Sequence, residues 1–206
     1  MMKVVILRNK LKHAYYQHLT KTIIENLKTL PLKPDYLSYI GLILGILAGI
    51  SFYFYIPLGG VFLLMSGFMD TLDGALARET NSGTKFGAFL DSILDRFCEF
   101  FALAGLFLHF YFKKPIICFF IFITLFGSLM VSYARAKAGE INISCKTGIF
   151  QRPERIIILS LGAILTIFSK RLELPIIIAI IILCFGNLYT IWERIRFVFK
   201  YTKEKQ

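Results

Sequence analysis

Acidic side chains are scarce in this 206-residue chain: 13 Asp+Glu stand against 24 Lys+Arg, charged residues of all kinds make up 18%, and only five are aspartates. With 56% hydrophobic residues and a mean hydropathy of +0.65, so little charge excludes an ordinary water-soluble domain, in which about a quarter of residues are charged. Cysteine is sparse too. Cys98, Cys118, Cys145 and Cys184 have no close pair and no histidine at ligand spacing, which removes a disulfide framework and a zinc site and leaves them as packing residues. His13, His18 and His109 are scattered and read as interfacial or amphipathic-helix residues rather than catalysts. The chain has no internal repeat, low-complexity tract or long linker. Its first apolar run, residues 4–7, is too short for a signal-peptide core and is followed by lysines and histidines, so the amino end is expected to be retained inside.

What the chain has in abundance is apolar runs. A helix needs roughly 20 mostly apolar residues to cross a hydrocarbon layer about 30 Å thick. Six stretches answer that description: residues 36–56, 57–77, 86–112, 115–138, 156–168 with its flanks, and 175–197. The first two are expected to be parted by a turn around Pro57, Gly59 and Gly60. Placing both termini in the cytoplasm puts 20 of the 24 Lys+Arg on the cytoplasmic side, the exceptions being Lys113, Lys114, Lys170 and Arg171. That bias accounts for the formal net charge of +11 through topology and anionic head groups, without nucleic acid. The expected fold is therefore all-α and integral to the membrane, multi-pass, with six transmembrane helices in one domain over 36–200 and a short tail over 201–206.

Residues 1–35 precede that domain. From about 11 to 30, Leu11, Tyr15, Leu19, Ile23 and Leu27 repeat at helical spacing with Lys12, Lys21 and Lys28 on other faces, which predicts an amphipathic helix. It lies either in the membrane interface or against the cytoplasmic loops.

Four of the five aspartates fall between positions 70 and 95, beside segments built of leucine, phenylalanine, isoleucine and glycine. An ionised carboxylate in such surroundings costs several kcal/mol unless it is paired or bound to metal. Asp70 and Asp73 are three apart and Asp91 and Asp95 four apart, so each pair occupies one face of its own helix. Two consecutive antiparallel helices joined by a short loop bring those faces together. Converging anions repel, and a hard divalent cation, Mg2+ or Mn2+, is the ordinary relief. Gly74 and Gly87 leave room for a ligand to approach the backbone, Ala77 keeps the face small, and Arg78 offers a planar donor fork to a diphosphate. Ser82, Gly83 and Thr84 allow the chain to turn. An ion-coupled transporter would spread its charges through the membrane depth; here they gather at one end.

Asp70-x2-Asp73-Gly74-x2-Ala77-Arg78-x8-Gly87-x3-Asp91-x3-Asp95 resembles the signature of the CDP-alcohol phosphotransferase family at every fixed position. The resemblance implies transfer of the phosphoalcohol part of a CDP-linked alcohol to a hydroxyl, with release of CMP. It implies that Asp70, Asp73 and Asp91 bind metal, and that Asp95 is the general base and touches a second ion, with two ions per site. Asp70, Asp73, Gly74, Ala77, Arg78, Thr84 and Gly87 would line the CDP pocket. It further implies a homodimer in the cell membrane with its active site facing the cytoplasm.

The acceptor is addressed by a second cluster. Ser132-Tyr133-Ala134-Arg135-Ala136-Lys137 and Gly148-Ile149-Phe150-Gln151-Arg152-Pro153-Glu154-Arg155 gather guanidinium groups suited to bidentate phosphate binding. With Leu90-Asp91-Ser92-Ile93-Leu94-Asp95-Arg96, these stretches are similar to the branch that uses inositol phosphate: phosphatidylinositol-phosphate, archaetidylinositol-phosphate and di-myo-inositol-phosphate-phosphate synthases. Arg135, Lys137, Arg152 and Arg155 are then expected to hold the acceptor's phosphate. Relatives that use glycerol phosphate or serine share the core motif, and the donor stays open among CDP-diacylglycerol, CDP-archaeol and CDP-inositol.

Overall fold

The computed structural model describes Ile24 and residues 34–145, 147–169 and 173–203, and among these it contains helices and no strand. The predicted amino-terminal amphipathic helix therefore lies outside the described residues, apart from Ile24, which is helical and buried with Leu37, Leu72, Ala75 and Leu76. Six helices follow: α1 (Pro34–Phe54), α2 (Ile56–Glu79), α3 (Lys85–Phe110), α4 (Pro115–Glu140), α5 (Arg152–Ile164) and α6 (Leu174–Lys203). A single turn of 3-10 helix, Leu165–Phe168, extends α5.

Proline sets most of the starts. Pro34, Pro57, Pro115, Pro153 and Pro175 each occupy the first or second position of a helix, where the missing N–H would have had no intrahelical partner. This corrects the expected turn around Pro57, Gly59 and Gly60: only Tyr55 breaks the helix, and the three residues lie inside α2. The one helix without such a proline, α3, is opened by Thr84, whose side chain accepts the Gly87 N–H at 2.9 Å. Asn81 and Asn142, with φ of 51° and 57°, sit just past the ends of α2 and α4, left-handed positions that asparagine tolerates.

Four helices, α1, α2, α4 and α6, are long and apolar enough to cross a membrane. α3 has the length, but Asp91, Asp95, Arg96 and Glu99 interrupt it. α5 has 13 residues, about 20 Å at 1.5 Å per residue. Outward-facing positions are dominated by large apolar side chains such as Phe54, Phe86, Phe112, Ile116, Phe122 and Ile195, a surface that lipid solvates better than water.

Where lipid surrounds helices, close packing and interhelical hydrogen bonds hold them together rather than expulsion of apolar surface from water. α1 carries Gly41, Gly45 and Gly49 along one face, all buried. A methyl group at Gly49 would meet the Phe101 carbonyl and one at Gly105 would meet the Gly49 carbonyl, so α1 and α3 touch backbone to backbone. Ser66 of α2 donates to the Gly41 carbonyl at 2.8 Å. On the other side of the bundle Asn187 of α6 donates to the Thr124 carbonyl of α4 at 3.1 Å. α5 packs between α2 and α6, closing a core that includes Phe52, Leu63, Leu106, Phe110, Ile121, Ile176 and Ile180. The four cysteines are free and buried, as packing residues should be.

Candidate functional site

The site begins with two helix ends. α2 stops at Glu79, the chain turns through 80–84, and the Thr84 cap restarts it as α3. Asp70 and Asp73 are thereby set near the end of α2 opposite Asp91 and Asp95 near the start of α3. Asp70, Asp91 and Asp95 present carboxylate oxygens that all lie within 4.8 Å of one another. Asp73 is 6% exposed and lies beside this group; its carboxylate accepts from the Ser38 hydroxyl of α1 at 2.5 Å. All four aspartates line one cleft with Ser38, Gly41, Ser66, Leu94, Cys98 and Arg152.

Arg152, the first residue of α5, reaches into that cleft. Its Nη1 is 2.5 Å from Asp70 Oδ1 and its Nη2 is 2.6 Å from Asp95 Oδ1. Arg96 stands farther off, 3.6 Å from Asp95 Oδ2, and donates to the Ser92 carbonyl at 2.7 Å. One close guanidinium against three converging carboxylates leaves the cleft with excess negative charge. A set of oxygen donors at this spacing, only partly compensated, fits a hard divalent cation.

Arg152 is delivered by the segment before it. Gly148 has φ of 115°, and a Cβ there would meet the side chain of Thr190. The Phe150 N–H donates to Thr190 Oγ1 at 3.2 Å. Buried Arg194 donates from Nε to the Thr147 carbonyl at 3.1 Å, and from Nη1 to the Val131 carbonyl. The loop is thus fastened to α6 and α5 starts in a set place. One turn on, Arg155 is forked on Glu99 of α3 and donates to the Phe150 carbonyl.

The other residues singled out in the sequence divide into two groups. Gly74, Ala77 and Arg78 follow Asp73 along α2, with Arg78 exposed in its last turn. An added methyl at Gly87 would stand 3.1 Å from Thr84 Oγ1 and 3.2 Å from Asp35 Oδ1, so that corner of the site is tight. Arg135 and Lys137 are exposed near the end of α4, and Lys137 pairs with Glu140 at 2.7 Å. They do not share the cleft lining with Arg152. Two residues were missed. Ser38 carries no sequence signal, but Glu99 continues the series Asp91, Asp95 in steps of four, which could have marked it.

Residues 32–195 match the family model described as CDP-alcohol phosphatidyltransferase. The archaetidylinositol phosphate synthase of Pyrococcus horikoshii is 38% identical over 146 residues, 68% of this chain and 73% of that protein. The phosphatidylinositol phosphate synthase of Mycobacterium tuberculosis, in a crystal structure with CDP-DAG bound, matches with a TM-score of 0.78 at 27% identity, over 87% of this chain and 93% of that one. The same enzyme in complex with manganese and citrate matches with a TM-score of 0.77 at 26% identity, over 88% and 89%.

Proposed function

The chain belongs to the CDP-alcohol phosphatidyltransferase family, and from that premise we propose that it transfers the phosphoalcohol part of a CDP-linked alcohol to a hydroxyl of inositol phosphate and releases CMP. The observation that carries this reading is the convergence of Asp70, Asp91 and Asp95 oxygens within 4.8 Å. These three, with Asp73 beside them, would hold Mg2+ or Mn2+, as two ions when the site is full. Bound there, the cation neutralises the diphosphate and makes CMP a better leaving group. A homologue that crystallised with manganese supports the choice of metal.

The chain's own residues do the rest. Asp95 takes the proton of the acceptor hydroxyl as that oxygen bonds to phosphorus and the bond from phosphorus to the CMP oxygen breaks. Gly74, Ala77, Arg78, Thr84 and Gly87 receive the CDP end of the donor. Arg152 and Arg155, with Arg135 and Lys137, bind the acceptor's phosphate. Relatives that synthesise archaetidylinositol phosphate and phosphatidylinositol phosphate support a phosphorylated inositol as acceptor.

In the cell membrane all six helices of the 36–200 domain cross the bilayer, α5 with the help of its 3-10 extension and flanks. Both termini and the aspartate end face the cytoplasm, because the basic residues accumulate there. Two chains associate through their apolar outer faces.

The test is CMP release by purified protein with Mg2+, using CDP-diacylglycerol, CDP-archaeol or CDP-inositol against a panel of acceptors. Release is expected with inositol phosphate and is expected to stop when a chelator is added. Release with glycerol phosphate, serine or free inositol, but not inositol phosphate, would overturn the acceptor.

A further inference from the structure

Glu99 lies one helical turn beyond Asp95, so Asp91, Asp95 and Glu99 form one acidic line along α3. Arg152 and Arg155, three apart, form a matching basic line on the first turn of α5. The lines meet as two rungs. Arg152 Nη2 stands 2.6 Å from Asp95 Oδ1. Arg155 is forked on Glu99, Nε to Oε1 at 2.8 Å and Nη2 to Oε2 at 3.3 Å. The side chains of this second rung are 5% and 18% exposed, Arg155 the more buried. They line a cavity shared with Asp95 and Arg152, whose other walls are mostly apolar, among them Leu63, Leu103, Ile156 and Leu159.

A buried ion pair is a weak device for stability, since well-packed apolar residues of similar volume do as well or better. What this pair does provide is a guanidinium held in one orientation. Arg155 has five N–H groups. Two go to Glu99 and one to the Phe150 carbonyl at 3.4 Å. One N–H on Nη1 and one on Nη2 remain, held in plane by the fork, on a side chain that lines the same cavity as Asp95.

The geometry points to Glu99 as a positioning residue: it orients Arg155 so that its two remaining N–H groups take the acceptor's phosphate at a set distance from Asp95. This inference rests on the phosphorylated-acceptor reading above. Neutralising Glu99 frees the guanidinium to rotate, so the loss falls on acceptor binding rather than on donor binding or the chemical step.

The experiment measures steady-state CMP release in wild type, Glu99→Gln and the charge-swapped double variant Glu99→Arg/Arg155→Glu, with thermal unfolding in detergent alongside. In Glu99→Gln the acceptor KM is expected to rise about tenfold or more, with smaller changes in kcat and donor KM. The swapped pair is expected to regain unfolding temperature but not acceptor KM, because its guanidinium now projects from α3. If the swap restores both, the pair is only structural and the inference fails. It fails equally if Glu99→Gln lowers stability and leaves acceptor KM where it was. Should Glu99→Gln not accumulate, the swapped pair carries the same test. A wild-type enzyme that does not prefer phosphorylated acceptors overturns the acceptor reading and this inference together, whereas a wild-type preference that Glu99→Gln does not weaken overturns the inference alone.

Discussion

The two ends of the bundle handle charge in opposite ways. At the aspartate end three carboxylates converge within 4.8 Å and one guanidinium, Arg152, bridges two of them. At the other end a single carboxylate, Glu173, is surrounded by basic groups: Lys114 at 2.7 Å, His109 Nε2 at 3.1 Å and Lys113 at 4.0 Å. His109 Nδ1 lies 2.9 Å from the Tyr53 carbonyl, which can only accept, so Nδ1 carries a proton. That contact joins the ends of α1 and α3, and the contact of Nε2 with Glu173 joins them to the start of α6. Burial raises the pKa of Glu173, but hydrogen bonds from Lys114 and His109 outweigh it and hold the carboxyl below its ordinary range. A carboxylate enclosed by several donors from neighbouring helices is satisfied and serves as a fastening; three carboxylates that share one close guanidinium are left to take up something from outside.

Substitutions at the two ends put that contrast to the test. The largest effect belongs to Asp95→Asn, which removes the proposed base without changing its size. Turnover is expected to fall by about 10^2 to 10^4, while calorimetry still records CMP binding; an active variant would remove Asp95 from its role. A smaller effect is expected from Arg152→Gln. With the internal counter-charge gone from Asp70 and Asp95, apparent Mn2+ affinity, followed by electron paramagnetic resonance of free Mn2+, should tighten about tenfold even as turnover drops. Weaker binding would mean that Arg152 shapes the carboxylates instead of competing for them.

The smallest change belongs to the Glu173 end. Glu173→Gln is expected to keep CMP release and to cost about 1 kcal/mol at neutral pH. Because the folded pKa of Glu173 is lowered, its contribution is complete above the ordinary carboxylate range and is lost as pH falls through the folded value. Thermal unfolding of wild type and variant should therefore converge at acid pH. A gap that persists there, or lost activity in the variant, would break the contrast between the ends.

Much of this arrangement was legible beforehand. The aspartates could be read as a site because ionisable groups beside apolar runs are costly and their spacing of three and four fixes one helix face. Pro57, expected in a turn, instead opens α2, because a missing N–H costs nothing in a helix's first turn. Glu99 was overlooked although it continues the same spacing, because a lone glutamate in a helix usually needs no partner. Ser38 could not have been found, since a serine on an apolar helix gives no sign of a carboxylate 35 residues away.

The sequence by itself determined the all-helical plan, the positions of the helices and the azimuth of the aspartates, since each follows from the chemistry of a few neighbouring residues. Only the tertiary structure decided that Asp70, Asp91 and Asp95 converge while Asp73 turns to Ser38, that Arg152 enters the cleft, and that Arg155 locks on Glu99 across 56 residues of chain. A helical spacing fixes the direction in which a side chain leaves its own axis. Which neighbour it meets depends on how six helices pack, and here that is set by backbone contact between α1 and α3 and by the loop that α6 holds in front of α5.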